Sequence, residues 1–320
     1  MKKALLIVAI LPLLIMTGCA RDNAVRYSDD EPIVLEMRGD TLKILQLTDL
    51  HLTYGVDYND RRTFALIKTM VESDTWDLVV ISGDMTLSPL GPSLFGRLVK
   101  LMEQLATPWT FVFGNHETDY QTQAAFLRKT ANTQHLMFKT GPELEDGGVG
   151  NFAIRFDKDG VPFYKAYFLD SHAERKEYTA EEGEYGYLRE SQVEWYVNHV
   201  QNDTVDSVMY FHIPLRQFVL AETDPEITYE GLFLEDKVYP QGIDTGMFAA
   251  IVANHRTKGV FVGHDHLNDF HFLLDGVLLG YGRASGYAGY GHLERGGRVV
   301  IVAEDGVMTS RILLESEARP

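Results

Sequence analysis

The sequence has only one cysteine among its 320 residues, Cys19. A single thiol cannot form a disulfide within the chain, so the fold must be stable without cross-links. It also excludes a metal site made of several thiolates, such as that of a zinc finger. A metal site in this chain must instead use carboxylate, amide or imidazole groups.

Basic residues are also scarce, because 29 Lys and Arg stand against 46 Asp and Glu. The net charge of -17 at pH 7 disfavours binding to a nucleic-acid backbone, whose phosphates must be neutralised by basic side chains. We therefore expect no extended nucleic-acid binding. If the chain handles phosphate, a local group rather than the overall charge must attract the anion.

The N-terminal apolar run, Ala4–Met16, is too short to span a bilayer comfortably. It follows Lys2 and Lys3 and precedes small residues, which is the arrangement of a secretory signal peptide. A transmembrane anchor or a buried helix is the alternative interpretation of the same run.

The tetrapeptide Met16-Thr17-Gly18-Cys19 resembles the lipobox of bacterial lipoproteins, in which cleavage before the cysteine leaves it N-terminal and lipid-modified. We expect a signal peptide at 1–18, lipidation of Cys19, a polar tether at 19–32 and one domain at 33–320. The resemblance implies an exported protein that is anchored by lipid to a membrane of the bacterial cell envelope. In a Gram-negative host this would be the outer membrane, facing the periplasm or the cell surface.

A hydrophobic content of 45% and an aromatic content of 11% are typical of a globular protein. Short apolar runs rich in β-branched and aromatic residues have the length of strands, and helix-like stretches such as 63–73 and 94–105 lie between several of them. This alternation predicts an α/β fold with parallel βαβ units. The strand-length runs are 42–47, 78–82, 109–113, 164–169, 207–211 and 259–262.

Later segments predict antiparallel pairs. A glycine-containing turn separates 152–156 from 163–169, as in a hairpin. Segment 277–281 together with 298–303, followed by 307–314 after a second turn, adds further antiparallel signals. The sequence therefore predicts two mixed β-sheets flanked by helices in a single domain.

Polar residues follow five of the apolar runs at the point where each ends. Ligands of open α/β sheets bind beyond the carboxyl ends of the strands, so these side chains are expected to converge. The residues are Asp49 and His51 after 42–47, Asp84 after 78–82, Asn115, His116 and Glu117 after 109–113, His212 after 207–211, and His264 and His266 after 259–262.

Each of these residues has an ordinary structural interpretation when it is considered alone. Asp49 suits a helix N-cap, Asp84 a turn and His212 a hydrogen-bonded core position. Together, seven Asp, Asn and His residues are too many for one tetrahedral ion and suit two ions of higher coordination. Oxygen and nitrogen donors without thiolates favour Mn, Fe or Zn. We therefore expect a dinuclear metal site.

The order D-x-H, G-D, G-N-H-E, a strand-terminal His and G-H-x-H resembles the calcineurin-like metallophosphoesterase superfamily, from Leu42 to the C-terminus. The segments Y-F-H-I-P-L, G-H-D-H-L-N-D and Y-G-R-A-S-G-Y-A-G-Y-G resemble its small single-domain purple-acid-phosphatase-like members more closely. The resemblance implies a four-layer α/β/β/α sandwich of two mixed sheets flanked by helices. It also implies hydrolysis of phosphate esters by a metal-bridging hydroxide.

The resemblance also implies roles for individual residues. Purple acid phosphatases have a tyrosine three positions after the Asp of G-D, where this chain has Leu87, so their purple tyrosinate–iron colour should be absent. One metal would be held by Asp49, His51 and His266, the other by Asn115, His212 and His264, with Asp84 bridging the two.

Several residues around this set have two interpretations. His116 would protonate the leaving group, or it would only pack against and orient Asn115. Arg283 would contact phosphate, or it would form a structural salt bridge. Asp265 and Asp269 would accept hydrogen bonds from ligand imidazoles, or would simply be solvated. Tyr287 and Tyr290 would stack on a substrate, or would belong to an aromatic core.

These observations predict a metal-dependent phosphoesterase that acts on a phosphorylated small molecule, with a phosphomonoesterase as the leading hypothesis. A phosphodiesterase or nucleotidase that acts on extracellular nucleotides is the first alternative. A non-catalytic lipoprotein that binds a phosphate ligand is the second. We expect a monomer.

Overall fold

The protein is described here by a computed structural model that covers residues 24–319. The predicted signal peptide 1–18, the predicted lipidation site Cys19 and the first residues of the predicted tether lie outside these described residues. Within them, none of the helices has both the length and the apolar character needed to cross a membrane.

The described part of the predicted tether lies against the domain. The backbone nitrogen of Ser28 donates to the carbonyl of Gly141 at 3.1 Å. The indole nitrogen of Trp195 donates to the carboxylate of Asp30 at 2.7 Å. From Ala24 onward the segment is therefore attached to the domain surface and does not act as a free linker.

The first sheet has five strands, three from the N-terminal part of the chain and two from its C-terminal end. Its order is β12-β11-β2-β3-β4, in which β2, β3 and β4 are parallel while β11 is antiparallel to both β2 and β12. The parallel part follows from the βαβ pattern of the sequence. The strands are β2 (Leu42–Leu47), β3 (Leu78–Ser82), β4 (Trp109–Val112), β11 (Gly296–Val302) and β12 (Met308–Leu314).

The second sheet has seven strands in the order β1-β5-β6-β7-β8-β10-β9. Strands β6, β7, β8 and β10 are parallel neighbours, and the predicted hairpin β5–β6 is antiparallel. The strands are β1 (Ile33–Glu36), β5 (Phe152–Lys158), β6 (Val161–Phe168), β7 (Ser207–Tyr210), β8 (Thr257–Val262), β9 (His271–Leu274) and β10 (Val277–Tyr281).

Helices cover the outer faces of both sheets and complete the four predicted layers. Three buried clusters separate these layers: one lies between the two sheets, and each of the others lies between a sheet and its helices. The helices are α1 (Tyr58–Glu72), α2 (Gly91–Leu105), α3 (Gln123–Leu127), α4 (Glu190–Val200), α5 (Leu220–Thr223), α6 (Met247–Asn254) and α7 (Glu315–Ala318), and a 3-10 turn spans Arg216–Val219.

The mixed four-layer α/β fold is thus confirmed. The antiparallel pair predicted from 277–281 and 298–303, however, does not form. Strand β10 pairs with β8 and β9 in the second sheet, whereas β11 pairs with β2 and β12 in the first. Both segments are short and mostly apolar, and such a run does not specify its partner. The hairpin between β11 and β12 is present as predicted.

The carboxyl ends of β2, β3 and β8 are tied together across the two sheets. The side-chain amide of Gln46 donates to the Ser82 hydroxyl at 2.8 Å and to the Val262 carbonyl at 2.9 Å. Gln46 is completely buried, so these bonds are made without competition from water. They bring the loops that follow the three strands to one end of the sandwich.

Candidate metal centre

Several predicted ligands have unusual backbone geometry in the loops after their strands. Asp49, His51, Asp84 and His264 have φ angles of 54, 45, 51 and 82 degrees. An L-residue in this left-handed region costs about 1–3 kcal/mol and persists only where its surroundings impose it. These four strained positions turn carboxylate and imidazole groups toward one cavity.

Two glycines allow the loops to approach each other. A Cβ on Gly114 would lie 2.2 Å from the Oδ1 atom and 2.4 Å from the backbone nitrogen of Asp84. A Cβ on Gly263 would lie 2.1 Å from Thr48 Oγ1 and 2.9 Å from Asp49 Oδ2. Both positions exclude any side chain, so glycine is what permits this close packing of the ligand loops.

Asp49, His51 and His266 form the first group of predicted ligands, and all three are buried. The Nε2 atoms of the two imidazoles are 2.9 Å apart, and Asp49 Oδ1 lies 3.9 Å from that of His51 and 3.5 Å from that of His266. All three ligand atoms lie within 4.8 Å of one another, close enough to surround one ion. Two facing ring nitrogens can share only one proton, so the pair is suited to a cation between them.

Asn115, His212 and His264 form the second group. Asn115 Oδ1 lies 3.1 Å from His212 Nε2 and 3.0 Å from His264 Nδ1. The Ser82 carbonyl lies 2.8 Å from His212 Nδ1 and can only accept, so this nitrogen carries a proton and Nε2 faces the cavity. The Ser82 bond therefore orients the imidazole in the way that metal-binding histidines require.

Asp84 lies between the two groups. Its Oδ2 atom is 3.5 Å from His51 Nε2 and 3.2 Å from His212 Nε2. Its other oxygen, Oδ1, accepts a hydrogen bond from the backbone nitrogen of His116 at 3.0 Å. Oδ2 is thus shared by the two groups, which is the place of a bridging carboxylate.

The carboxyls and imidazoles of the cluster shift one another's pKa values. Burial lowers the pKa of His51 and of His264 to about 3, which keeps both imidazoles in the neutral form that binds metals. Burial also acts against protonation of His212, but Asp84 and Asp49 outweigh it and raise the pKa of His212 to about 10. Burial alone would raise the pKa of both carboxyls; the facing imidazoles outweigh it and hold them ionised.

This donor set fits metal ions. Carboxylate, amide and imidazole groups without thiolate suit hard and borderline cations. In the described part of the chain, the Nε2 atoms of His51 and His266 face each other, and Asp84 Oδ2 faces the Nε2 atoms of His51 and His212. Several donor atoms thus converge at distances that suit bound cations, and two such groups beside Asp84 indicate a dinuclear site.

His116 lies at the edge of the cluster, where a ring nitrogen is within 4.8 Å of ligand atoms of His51 and Asp84. Its Nδ1 atom is 2.8 Å from the carboxylate of Asp119. Burial disfavours the protonated ring, but the charges of Asp84 and Asp119 outweigh burial and raise the pKa of His116. The imidazole is thus oriented by Asp119 and is favoured as a proton donor.

Glu117 holds the two loops around Asp84 together, a role that sequence reasoning did not assign although the residue stands in the G-N-H-E motif. Its carboxylate accepts hydrogen bonds from the backbone nitrogens of Gly114, Asp84 and Thr86, at 2.7, 3.2 and 3.0 Å. Burial, reinforced by the charge of Asp84, raises the pKa of Glu117 to about 7. The G-N-H-E motif was the available signal for Glu117, but only the fold shows which backbone amides its carboxylate binds.

Arg283 lies away from the cavity, in the structural salt bridge that was the alternative to a phosphate contact. Its guanidinium is buried, pairs with Asp269 and donates to the Glu294 carbonyl at 2.7 Å. Because the guanidinium is buried and bound to these partners, it is not available to bind phosphate in the cavity. Asp265 does line the cavity, but it accepts from the Tyr281 hydroxyl and not, among the described residues, from an imidazole.

The metal centre opens into a cavity of about 600 Å³, which Leu87 also lines. The ring of Tyr290 stacks on His266 with centroids 4.1 Å apart and planes 10° apart. The ring of Tyr185 meets His264 edge-on at 4.3 Å. Both tyrosines restrict the orientation of an imidazole; the aromatic character of their loops was the only sequence signal.

Two curated plant proteins resemble this chain along most of its length. It is 29% identical over 305 residues to a protein of Arabidopsis thaliana named probable inactive purple acid phosphatase 14, a match that covers 81% of this chain and 74% of that protein. It is 27% identical over 315 residues to the protein of the same plant named probable inactive purple acid phosphatase 28, covering 84% and 77%.

Solved structures agree with the fold. A dimetal phosphatase from Danio rerio superposes with a TM-score of 0.59 at 12% identity, covering 86% of this chain and 96% of that one. A purple acid phosphatase from yellow lupin superposes with a TM-score of 0.52 at 13% identity, covering 87% and 52%. Residues 42–268, more than half of the sequence, match the description calcineurin-like phosphoesterase. The chain therefore belongs to the calcineurin-like phosphoesterase family.

Proposed function

We propose that this protein is a metal-dependent phosphomonoesterase. The observation that supports this most is the convergence of six oxygen and nitrogen donors around Asp84, beside a cavity of about 600 Å³. One ion would be held by Asp49, His51 and His266, the other by Asn115, His212 and His264, with Asp84 shared. Mn, Fe and Zn are the candidate metals.

When bound, two such ions acidify a water molecule to a nucleophile near neutral pH and offset the charge of the phosphoryl group. The chain itself contributes the proton for the leaving group. His116 holds one ring nitrogen on Asp119, which leaves the other to donate to the departing alcohol oxygen. The contact with the Asp119 carboxylate favours the protonated ring for this step.

The names of the Arabidopsis relatives call those proteins probable inactive, so a non-catalytic phosphate binder is the alternative that must be tested. A binder has no need for a proton donor at the edge of its site. The pairing of His116 with Asp119 therefore favours the enzyme.

Hydrolysis assays test the proposal. The protein, loaded with Mn, Fe, Co or Zn, should hydrolyse p-nitrophenyl phosphate faster than bis-p-nitrophenyl phosphate. With a simple alkyl phosphate, whose leaving alkoxide needs a proton, His116→Ala should lower kcat by about 100-fold or more. Absence of turnover with every metal would contradict the enzyme, and a faster diester reaction would assign a phosphodiesterase instead.

We further propose that the protein is exported and anchored by lipid at Cys19 to a membrane of the bacterial cell envelope. The lipobox-like residues before Cys19 support this. Expressed in a bacterium, the wild type should sediment with membranes, and Cys19→Ser should not. If both partition alike and mass spectrometry finds no lipid on Cys19, the anchor is wrong.

A further inference from the structure

The part of the cavity beyond the predicted metal ligands is acidic and aromatic. Glu174, Glu235, Tyr185, Tyr239 and Tyr290 line it, and no Lys or Arg lines it in the described part of the chain. Protein sites for phosphate ordinarily use those two basic residue types, Arg above all. This half of the cavity is therefore suited to something other than the phosphoryl group.

Two of the rings form a corner. The ring centres of Tyr185 and Tyr239 are 6.3 Å apart, and their planes meet at 89°. Glu174 pairs with Tyr185 in an isolated antiparallel bridge, and both residues line the cavity. The ammonium nitrogen of Lys237 already lies 4.8 Å from the ring centre of Tyr239. Aromatic faces attract ammonium groups, and the chain places one of its own on this ring.

The two glutamates bring negative charge to the corner. Glu174 is exposed and forms no ion pair with a basic side chain of residues 24–319. Glu235 is held in place because its Oε1 atom accepts from the Leu267 backbone nitrogen at 3.1 Å and from the Tyr290 hydroxyl. These neutral donors position the Glu235 carboxylate without cancelling its charge.

We propose that the corner of Tyr185, Tyr239 and Glu174, with Glu235 beside it, receives an ammonium group on the alcohol half of the substrate. This inference rests on the proposed function, because it names the class of ester that the same site hydrolyses. The substrates are phosphate esters of amino alcohols, such as phosphocholine and phosphoethanolamine. The carboxylates at the same time repel esters whose alcohol half carries further phosphate.

The reaction is hydrolysis. An oxygen of water bonds to phosphorus, and the bond between phosphorus and the alcohol oxygen breaks. The amino alcohol leaves with a proton from His116. The proton that the attacking water loses then restores the protonated form of His116. The ammonium group takes part only in binding, so its effect is on the choice of substrate.

A pair of isosteric esters tests the charge alone. Phosphocholine and 3,3-dimethylbutyl phosphate differ by nitrogen against carbon at one position. The wild type should prefer phosphocholine in kcat/KM by about tenfold, the size of one favourable cation–aromatic contact with carboxylate support. Glu174→Gln should lower this ratio severalfold, because it removes the carboxylate support and leaves the rings in place. Glu177→Gln, an exposed glutamate of the same loop, is the matched control and should keep the wild-type ratio.

Binding of choline provides a second readout that needs no turnover. In calorimetric titrations choline should bind saturably, 3,3-dimethylbutanol should not, and Glu174→Gln should weaken choline binding severalfold. Turnover of both esters with a ratio near one in the wild type, or equal binding of choline and the neutral alcohol, would overturn the inference while the phosphoesterase stands. Choline binding without turnover of any ester would contradict the phosphoesterase and leave the ammonium site.

Discussion

At the scale of single residues, the position of Asp119 explains why His116 is suited to donate a proton. The carboxylate is three residues away in sequence and 2.8 Å away from the ring nitrogen in space. Sequence reasoning identified His116 from its place in G-N-H-E but did not single out Asp119. Nothing in the sequence shows that the loop folds back to bring the two side chains together.

Asp119→Asn should move the alkaline limb of the pH profile of kcat/KM to lower pH. Asp119 is one of the charges that raise the pKa of His116, and its removal lowers that pKa. A general acid works while it is protonated, so activity would then be lost at a lower pH. The measurement is kcat/KM for a simple alkyl phosphate, whose leaving alkoxide needs a proton, between about pH 5 and 10.

The conservative variant Asp119→Glu is the control for this prediction. It keeps the negative charge and should restore much of the alkaline limb. An unchanged limb in Asp119→Asn would mean that Asp119 has no influence on the protonation of His116.

At the scale of elements, the loops that follow β3 and β4 are joined by Glu117. Its carboxylate binds three backbone nitrogens of the loops after β3 and β4. A buried donor left without an acceptor costs about 1–3 kcal/mol. The stability of this end of the sheet therefore depends on both carboxylate oxygens.

Glu117→Gln should lower the free energy of unfolding by about 1–3 kcal/mol, because one amide must then face the NH₂ group of Gln. Urea unfolding of the metal-free protein measures this. The exposed Glu177→Gln should leave the free energy of unfolding unchanged. Equal stabilities of the two variants would show that Glu117 is not needed to hold the loops.

The strands that carry the ligands were predictable because their apolar runs are short, buried and followed by polar residues. Runs 42–47 and 78–82 agree with β2 and β3 residue for residue. The partner of β10 was not predictable, since β10 and β11 are both short, mostly apolar runs that suit either sheet. The choice is made by packing between the sheets, which leaves no mark on either segment alone.

At the scale of the whole molecule, family and fold were predictable from five short motifs in order, and the match over residues 42–268 confirms both. The role of Arg283 was not predictable from the sequence. A basic residue in a glycine-rich segment suits either a ligand contact or a salt bridge, and the buried carboxylate of Asp269 decides in favour of the salt bridge. The attachment of residues 24–32 to the domain was equally invisible, because their polar composition resembles that of a free tether.

We propose that two metal ions share Asp84, and metal analysis is the direct test. Wild-type protein, equilibrated with Mn, Fe or Zn and freed of excess metal, should contain two ions per chain by inductively coupled plasma mass spectrometry. Asp84→Ala, with its fold checked by circular dichroism, should contain one or none, because Oδ2 faces both His51 and His212. A wild type with at most one ion, or an Asp84→Ala variant that keeps two, would contradict the account.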